Sequence, residues 1–105
     1  MAEATNNEFL FMQLILQYQQ LAMMSMGKIK NPTTDTIDRN LEMAKFAIDT
    51  LDMLVIKTKG NLGEYEDKFI NEVVRELKLN YIDEVEKDKK ESSKQEEPKK
   101  EESKN

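Results

Sequence analysis

The chain has 105 residues, with 16 lysines and arginines against 21 acidic residues, and it contains no histidine, cysteine or tryptophan. Without histidine and cysteine it cannot form a Cys/His zinc site, a Cys or Ser–His nucleophile, a His or Cys haem ligand or a disulfide. Most common catalytic chemistries are therefore excluded. We expect no enzyme, no catalytic or metal-binding residues and no cofactor.

Charge divides the chain into a body and a tail. Residues 86–105 hold seven lysines, seven acidic residues and no apolar residue. They have nothing to bury that would offset a chain entropy of about 1–2 kcal/mol per residue. We therefore predict a flexible leader at residues 1–6, a folded domain at residues 7–85 and a disordered tail at residues 86–105.

The net charge of −5 falls entirely in residues 1–85, because the tail is neutral. An acidic body with a neutral tail repels phosphate backbones, so we expect no nucleic-acid partner. Two acidic residues and no basic residue precede the first apolar run, unlike the basic start of a secretory signal. We accordingly expect a cytoplasmic protein.

The first predicted helix spans residues 7–26, with Gly27 in the C′ position and Pro32 shortly after it. From residue 9 to residue 26, 13 of the 18 residues are apolar and none is charged. At about 100° per residue, Gln13, Gln17 and Gln20 share one wedge of roughly 60°, and apolar side chains surround the remainder.

A helix that is apolar on nearly three sides needs more cover than two short neighbouring helices provide. We therefore predict that this helix is shared between the subunits of a homo-oligomer, most simply a two-fold dimer. The predicted interaction surface consists of its apolar side chains, namely Phe11, Leu14, Ile15, Tyr18, Ala22 and Met26.

The second predicted helix spans residues 36–59, capped by either Asp35 or Asp38 and ending before Gly60. One apolar stripe runs along it from Ile37 to Val55. The third predicted helix spans residues 63–85, starting at Gly63 with acidic residues in its first turn. The predicted class is therefore all-α, a three-helix domain with a disordered C-terminal tail.

The segment Lys57-Thr58-Lys59-Gly60-Asn61-Leu62 is accompanied by segments 11–16, 27–32 and 40–45, by Ile48-Asp49, and by Glu76-Leu77-Lys78 with Tyr81. Taken as an ordered set, these segments resemble the uncharacterised bacterial family called domain of unknown function 1844, and the first of them is the most specific. The resemblance covers about residues 9–83. Where the family usually has threonine before the third helix, this chain has Gly63. The resemblance implies a small helical bacterial protein, and it implies no activity, cofactor or catalytic residue.

Asp49 and Asp52 lie three residues apart on one face of the second helix, a spacing that also suits a site for a hard cation. The Glu-x-x-His pattern of di-iron bundles is absent because the chain has no histidine. We interpret these acids as part of a solvated helix face.

The predicted function is a non-enzymatic, self-associating interaction or scaffold module that acts through the first helix. The alternative is a membrane-peripheral or chaperone-like binder of apolar segments, using the same helix. Four glutamines between residues 13 and 20 would be costly in hydrocarbon. We therefore expect no membrane contact, and the sequence does not identify any other protein partner.

Overall fold

The computed structural model describes the backbone of residues 2–104 and the side chains of residues 6–91. Within this part of the chain there are three helices, α1 (Ala2–Ser25), α2 (Leu41–Lys57) and α3 (Glu64–Lys104). The predicted all-α, three-helix class is confirmed. α1 begins five residues before its predicted start, because residues 2–6 contain no proline or glycine to interrupt it.

The end of α1 has the predicted glycine. Gly27 adopts a positive φ of 81°, its N–H donates to the Met24 carbonyl at 3.0 Å, and the Lys28 N–H donates to the Met23 carbonyl at 2.9 Å. This is the hydrogen-bond pattern of a Schellman motif. A Cβ at Gly27 would also lie 3.2 Å from Cδ of Arg39, so the position is restricted by both backbone and packing.

The start of α2 differs from the prediction, because Asn40 provides its cap. The Asn40 side-chain oxygen accepts from the Met43 N–H at 3.1 Å. Asp38 instead accepts from the hydroxyls of Thr34 and Thr36 in the preceding connection, and Asp35 has a φ of 58°. Asp35 therefore belongs to the turn at residues 32–35, and Asp38 accepts hydrogen bonds from that connection instead of capping α2.

This turn also changes the position of Ile37, which was predicted to begin the buried stripe of the second helix. Ile37 precedes α2 and is exposed, so this part of the prediction is wrong. The predicted stripe is confirmed at Ala44, Ala47, Ile48 and Leu51, which are buried.

The start of α3 has half of a capping box. Gly63 has no side chain to accept from the first turn, whereas its own N–H donates to the Glu66 carboxylate at 3.0 Å. Glu66, the third residue of α3, therefore accepts from a backbone N–H that has no partner within the helix. The reciprocal bond, from a side chain at residue 63, is missing.

We expect Gly63→Ser to stabilise the domain by a few tenths of a kcal/mol, because serine supplies the missing acceptor. A Cβ there would meet only the Glu66 carboxylate at 3.5 Å, an ordinary contact. Thermal unfolding should show an increase in Tm of about 2 °C. Gly63→Ala is the matched control, and it should lower Tm because it adds a Cβ without an acceptor. Equal effects of the two variants would contradict this account.

The three helices share one hydrophobic core. The Asn40 N–H donates to the Ser25 carbonyl at 2.7 Å, joining the end of α1 to the start of α2. At the other end, Phe11 and Thr58 line one depression, so α1 and α2 are antiparallel. The buried apolar residues come from all three helices: Ile15, Ala22, Met26, Ala44, Ala47, Ile48, Leu51, Ile70, Val73, Val74 and Leu77.

One buried carboxylate holds the connection between α1 and α2 against α3. The Glu84 side chain is only 8% exposed, and it forms ion pairs with Lys28 at 2.7 Å, Arg39 at 3.1 Å and Lys87 at 3.1 Å. Glu84 lies seven residues after Leu77, on the core-facing side of α3. The Lys28 hydrogen bond lowers the pKa of Glu84 to about 2, against the opposing effect of burial, and Lys87 and Arg39 add to the decrease.

α3 therefore continues beyond its predicted end at Val85, and the first turn of the predicted tail belongs to the folded body. Asp88 pairs with Arg39 at 2.8 Å, and Lys87 contacts Glu84. These two contacts correct the predicted domain boundary. The side chains from residue 92 onward lie outside the described part of the structure, so disorder in the rest of the tail stays a prediction.

Candidate interaction surface

The outer half of α1 is exposed and carries the predicted glutamine wedge. Gln13, Gln17 and Gln20 all face solvent. Exposed apolar side chains lie on both sides of the wedge: Phe9 and Leu16 on one side, Leu10 and Leu14 on the other. From residue 9 onward, the side of α1 that its own domain leaves uncovered therefore carries four apolar side chains, three glutamines and no charge.

The structure divides the six residues predicted to form the interaction surface. Ile15, Ala22 and Met26 are buried within the chain and belong to its core. Phe11 and Tyr18 are half-buried against that core, whereas Leu14 is 36% exposed. Three of the six side chains are therefore unavailable to a partner, and this part of the prediction is corrected. An almost uniformly apolar helix does not show which side faces its own domain.

α2 has a second row of exposed side chains that the sequence analysis missed. Met43, Phe46, Thr50, Met53 and Lys57 follow one another at steps of three, four, three and four residues; Thr50 is half-buried and the other four are exposed. The three apolar members are exposed, Phe46 by 57%. This heptad-like spacing was the available signal, but the stronger buried stripe on the opposite side of α2 obscured it.

α1 carries a matching row, in which Leu10, Leu14, Gln17 and Leu21 are separated by four, three and four residues. The two rows meet near the middle of the helix pair, where Phe46 lines a shallow depression with Leu14, Gln17, Tyr18 and Leu21. Residues three and four apart on a helix are surface neighbours. The rows therefore form one continuous surface.

We call this surface the α1–α2 face and define it by seven uncharged members of the two rows, the exposed Leu10, Leu14, Gln17, Met43, Phe46 and Met53 and the half-buried Thr50. None of these side chains is charged. The nearest charges on α2 are Glu42 in its first turn, Lys57 in its last turn, and Asp49, a surface neighbour of Phe46 and Met53 whose carboxylate is paired with Lys45 at 2.7 Å. The face combines apolar side chains with two neutral polar groups.

The pair Asp49 and Asp52, considered in the sequence as a cation site, lies on another side of α2. The Asp49 carboxylate lies 2.7 Å from the Lys45 ammonium, and Asp52 lies 3.3 Å from the Lys78 ammonium. Each carboxylate thus has its own lysine. Among the described residues, no three acidic side chains converge in a way that suits a metal ion.

A helix that crosses a bilayer needs about 20 consecutive, predominantly apolar residues. Over the part of the chain that the structure describes, no helix is both long enough and apolar enough to cross a membrane.

Fold and surface together define a small three-helix domain with an uncharged, partly apolar face on two antiparallel helices. The chain belongs to the family described as domain of unknown function (DUF1844), whose family model matches residues 8–83. The resemblance found in the sequence is confirmed. No curated protein and no solved structure matches the chain. The matched segment contains the whole α1–α2 face, and it ends one residue before Glu84.

Proposed function

We propose that this protein is a non-enzymatic interaction module that self-associates through the α1–α2 face. The observation that carries the proposal is the pair of exposed rows, which have heptad-like spacing on adjacent antiparallel helices. Such rows are the pattern by which helices pack against further helices. A second helix pair placed on the face would complete a four-helix arrangement.

The size of the face suits a stable interface. Its five apolar side chains are between 36% and 57% exposed, which amounts to roughly 450 Å² at side-chain areas of about 150–250 Å². A standard interface buries about 800 Å² on each partner, of which about 56–65% is apolar. The exposed apolar area of the face therefore matches the apolar share of one such interface.

The polar members of the face are compatible with burial. Gln17 and Thr50 are neutral, and an amide or hydroxyl can both donate and accept hydrogen bonds. The Thr50 hydroxyl already donates to the Phe46 carbonyl at 2.8 Å. Association would therefore remove no charge of the face from water. Removing a charge from water is the costliest step in burying a polar surface.

We expect Phe46→Glu to abolish self-association while leaving the monomer folded. Phe46 is 57% exposed and lines the centre of the face, so a two-fold dimer would bury two introduced carboxylates. Loss of a central aromatic side chain weakens an interface by about 2 kcal/mol or more. Light scattering coupled to size exclusion should show a monomer, and circular dichroism should show unchanged helicity.

Leu79→Glu provides the matched control, because Leu79 is also 57% exposed but lies on α3, outside the face. This variant should associate like the wild type. A wild-type chain that stays monomeric at about 100 μM, where contacts of even micromolar affinity are populated, would refute the proposal.

A second candidate function is supported by the two exposed methionines of the face. Met43 and Met53 are flexible and polarisable, as in proteins that bind varied apolar segments. A chaperone-like or membrane-peripheral binder would use the same face as a monomer. We expect the protein not to float with anionic liposomes at physiological salt, because its acidic body is repelled by them. Co-flotation that Phe46→Glu abolishes would favour this second candidate over self-association.

A further inference from the structure

The two ends of the exposed row on α2 carry opposite charges. Glu42 lies in the first turn of α2 and Lys57 in the last turn, and both side chains are exposed. Neither takes part in an ion pair among the side chains that the structure describes. At 1.5 Å per residue they are separated by about 22 Å along the helix, and their midpoint falls beside Thr50.

We propose that the occupant of the α1–α2 face is a second copy of this chain, related by a two-fold axis that passes beside Thr50. In this arrangement, α2 of one protomer lies antiparallel to α2 of its partner. Glu42 then faces Lys57 of the partner subunit, and the symmetry produces this contact twice. This geometry rests on the proposed function, and it specifies the axis and the direction of the helices.

Charge complementarity distinguishes this arrangement from its parallel counterpart. With α2 parallel to its copy, Glu42 would lie beside a second Glu42, and Lys57 beside a second Lys57. The antiparallel arrangement replaces both repulsions with attractions and also opposes the two helix dipoles. α1 imposes no contrary preference, because no charged residue occurs between Glu8 and Lys28.

Cysteine cross-linking tests the position of the axis, since the chain has no cysteine of its own. A disulfide requires Cα atoms within about 7 Å. We expect Thr50→Cys to form a covalent dimer on mild oxidation, because residue 50 would meet its own copy at the axis. Met43→Cys is the matched control on the same row. Residue 43 would lie about 20 Å along the helix from its own copy, so that variant should not cross-link.

Charge reversal tests the direction of the helices independently. Glu42→Lys and Lys57→Glu should each weaken dimerisation by roughly tenfold at low salt, because each turns two attractions into two repulsions. The double variant should restore the dissociation constant to within about threefold of the wild-type value. At about 1 M salt the differences should largely disappear, because surface charges are then screened.

Each of the following results either supports or overturns the antiparallel two-fold geometry. Cross-linking at residue 50 alone, together with rescue by the double reversal, supports the two-fold geometry. Cross-linking at both residues 50 and 43 shows a parallel arrangement and overturns it. A dimer with neither cross-linking nor rescue also overturns the geometry, although self-association would stand. A monomer at all concentrations overturns the geometry and the proposed function together.

Discussion

Replacing Ile15 with glutamate should unfold the domain rather than only prevent the proposed self-association. Ile15 is fully buried within the chain, in the core that α1 shares with the other two helices. The substitution removes a large apolar side chain and buries a charge, at a combined cost of about 4 kcal/mol or more. A domain of this size has a total stability of roughly 4–13 kcal/mol. Circular dichroism should show a large loss of helix or a Tm lowered by at least about 15 °C.

The adjacent residue provides the control for Ile15→Glu. Leu16 is 39% exposed and lies on the far side of the glutamine wedge, outside the α1–α2 face. Leu16→Glu should therefore change Tm by less than about 3 °C. It should also leave the oligomeric state unchanged. An Ile15→Glu protein with wild-type Tm would show that α1 does not pack against its own domain through Ile15. It would then return Ile15 to the interaction surface predicted from the sequence.

Loss of the Glu84 charge should have the next largest effect on stability. Glu84→Gln keeps the shape of the side chain, but it leaves Lys28, Arg39 and Lys87 beside a neutral amide. We expect a loss of about 2 kcal/mol at pH 7, because the three cations remain partly hydrated and solvent screens their attraction. Urea unfolding should show this difference as a lower midpoint with an unchanged slope.

The effect of Glu84 should depend on pH with a definite sign. Its pKa in the folded protein is about 2, below its ordinary value of 4.5. As the pH falls, the unfolded chain therefore takes up this proton before the folded protein does. The stabilisation is complete above about pH 5 and is lost between pH 5 and pH 2. The difference in unfolding free energy between wild type and Glu84→Gln should narrow over the same range.

Glu86→Gln is the control for the Glu84 variant, because Glu86 is an exposed acid two residues further along α3. It should change stability by less than about 0.5 kcal/mol at any pH in this range. An equal effect of the two substitutions, or a difference between wild type and Glu84→Gln that does not vary with pH, would contradict the role assigned to Glu84.

Much of the fold could be predicted from the residues because local signals agree with the tertiary structure. Gly27 ends α1 in the left-handed conformation that glycine favours. The apolar periodicity of α2 and α3 identifies the buried residues from Ala44 to Leu77. Asn40 was missed as a cap because Asp35 and Asp38 are equally good caps by residue type. Only the hydrogen bonds of the connection show that Asp38 is engaged elsewhere.

The extent of α3 is a second case in which packing decided what composition could not. The charge-rich segment after Val85 has no apolar residue, so the end of the apolar stripe was taken as the end of the domain. Glu84 occupies a core-facing position, and its partners Lys28 and Arg39 come from a connection 45 or more residues away. No local pattern connects these three residues.

By itself, the sequence determined the helical class, the family and the presence of surplus apolar surface on α1, because composition and periodicity are local properties. The tertiary structure decided which side of α1 is surplus. Ile15, Ala22 and Met26 are covered by α2 and α3, whereas Leu10 and Leu14 are not. It also placed Phe46 of α2 beside Leu14, joining two rows that lie far apart in the chain. The α1–α2 face exists only once the helices have packed, because each helix alone presents apolar residues on several sides and packing determines which of them remain exposed.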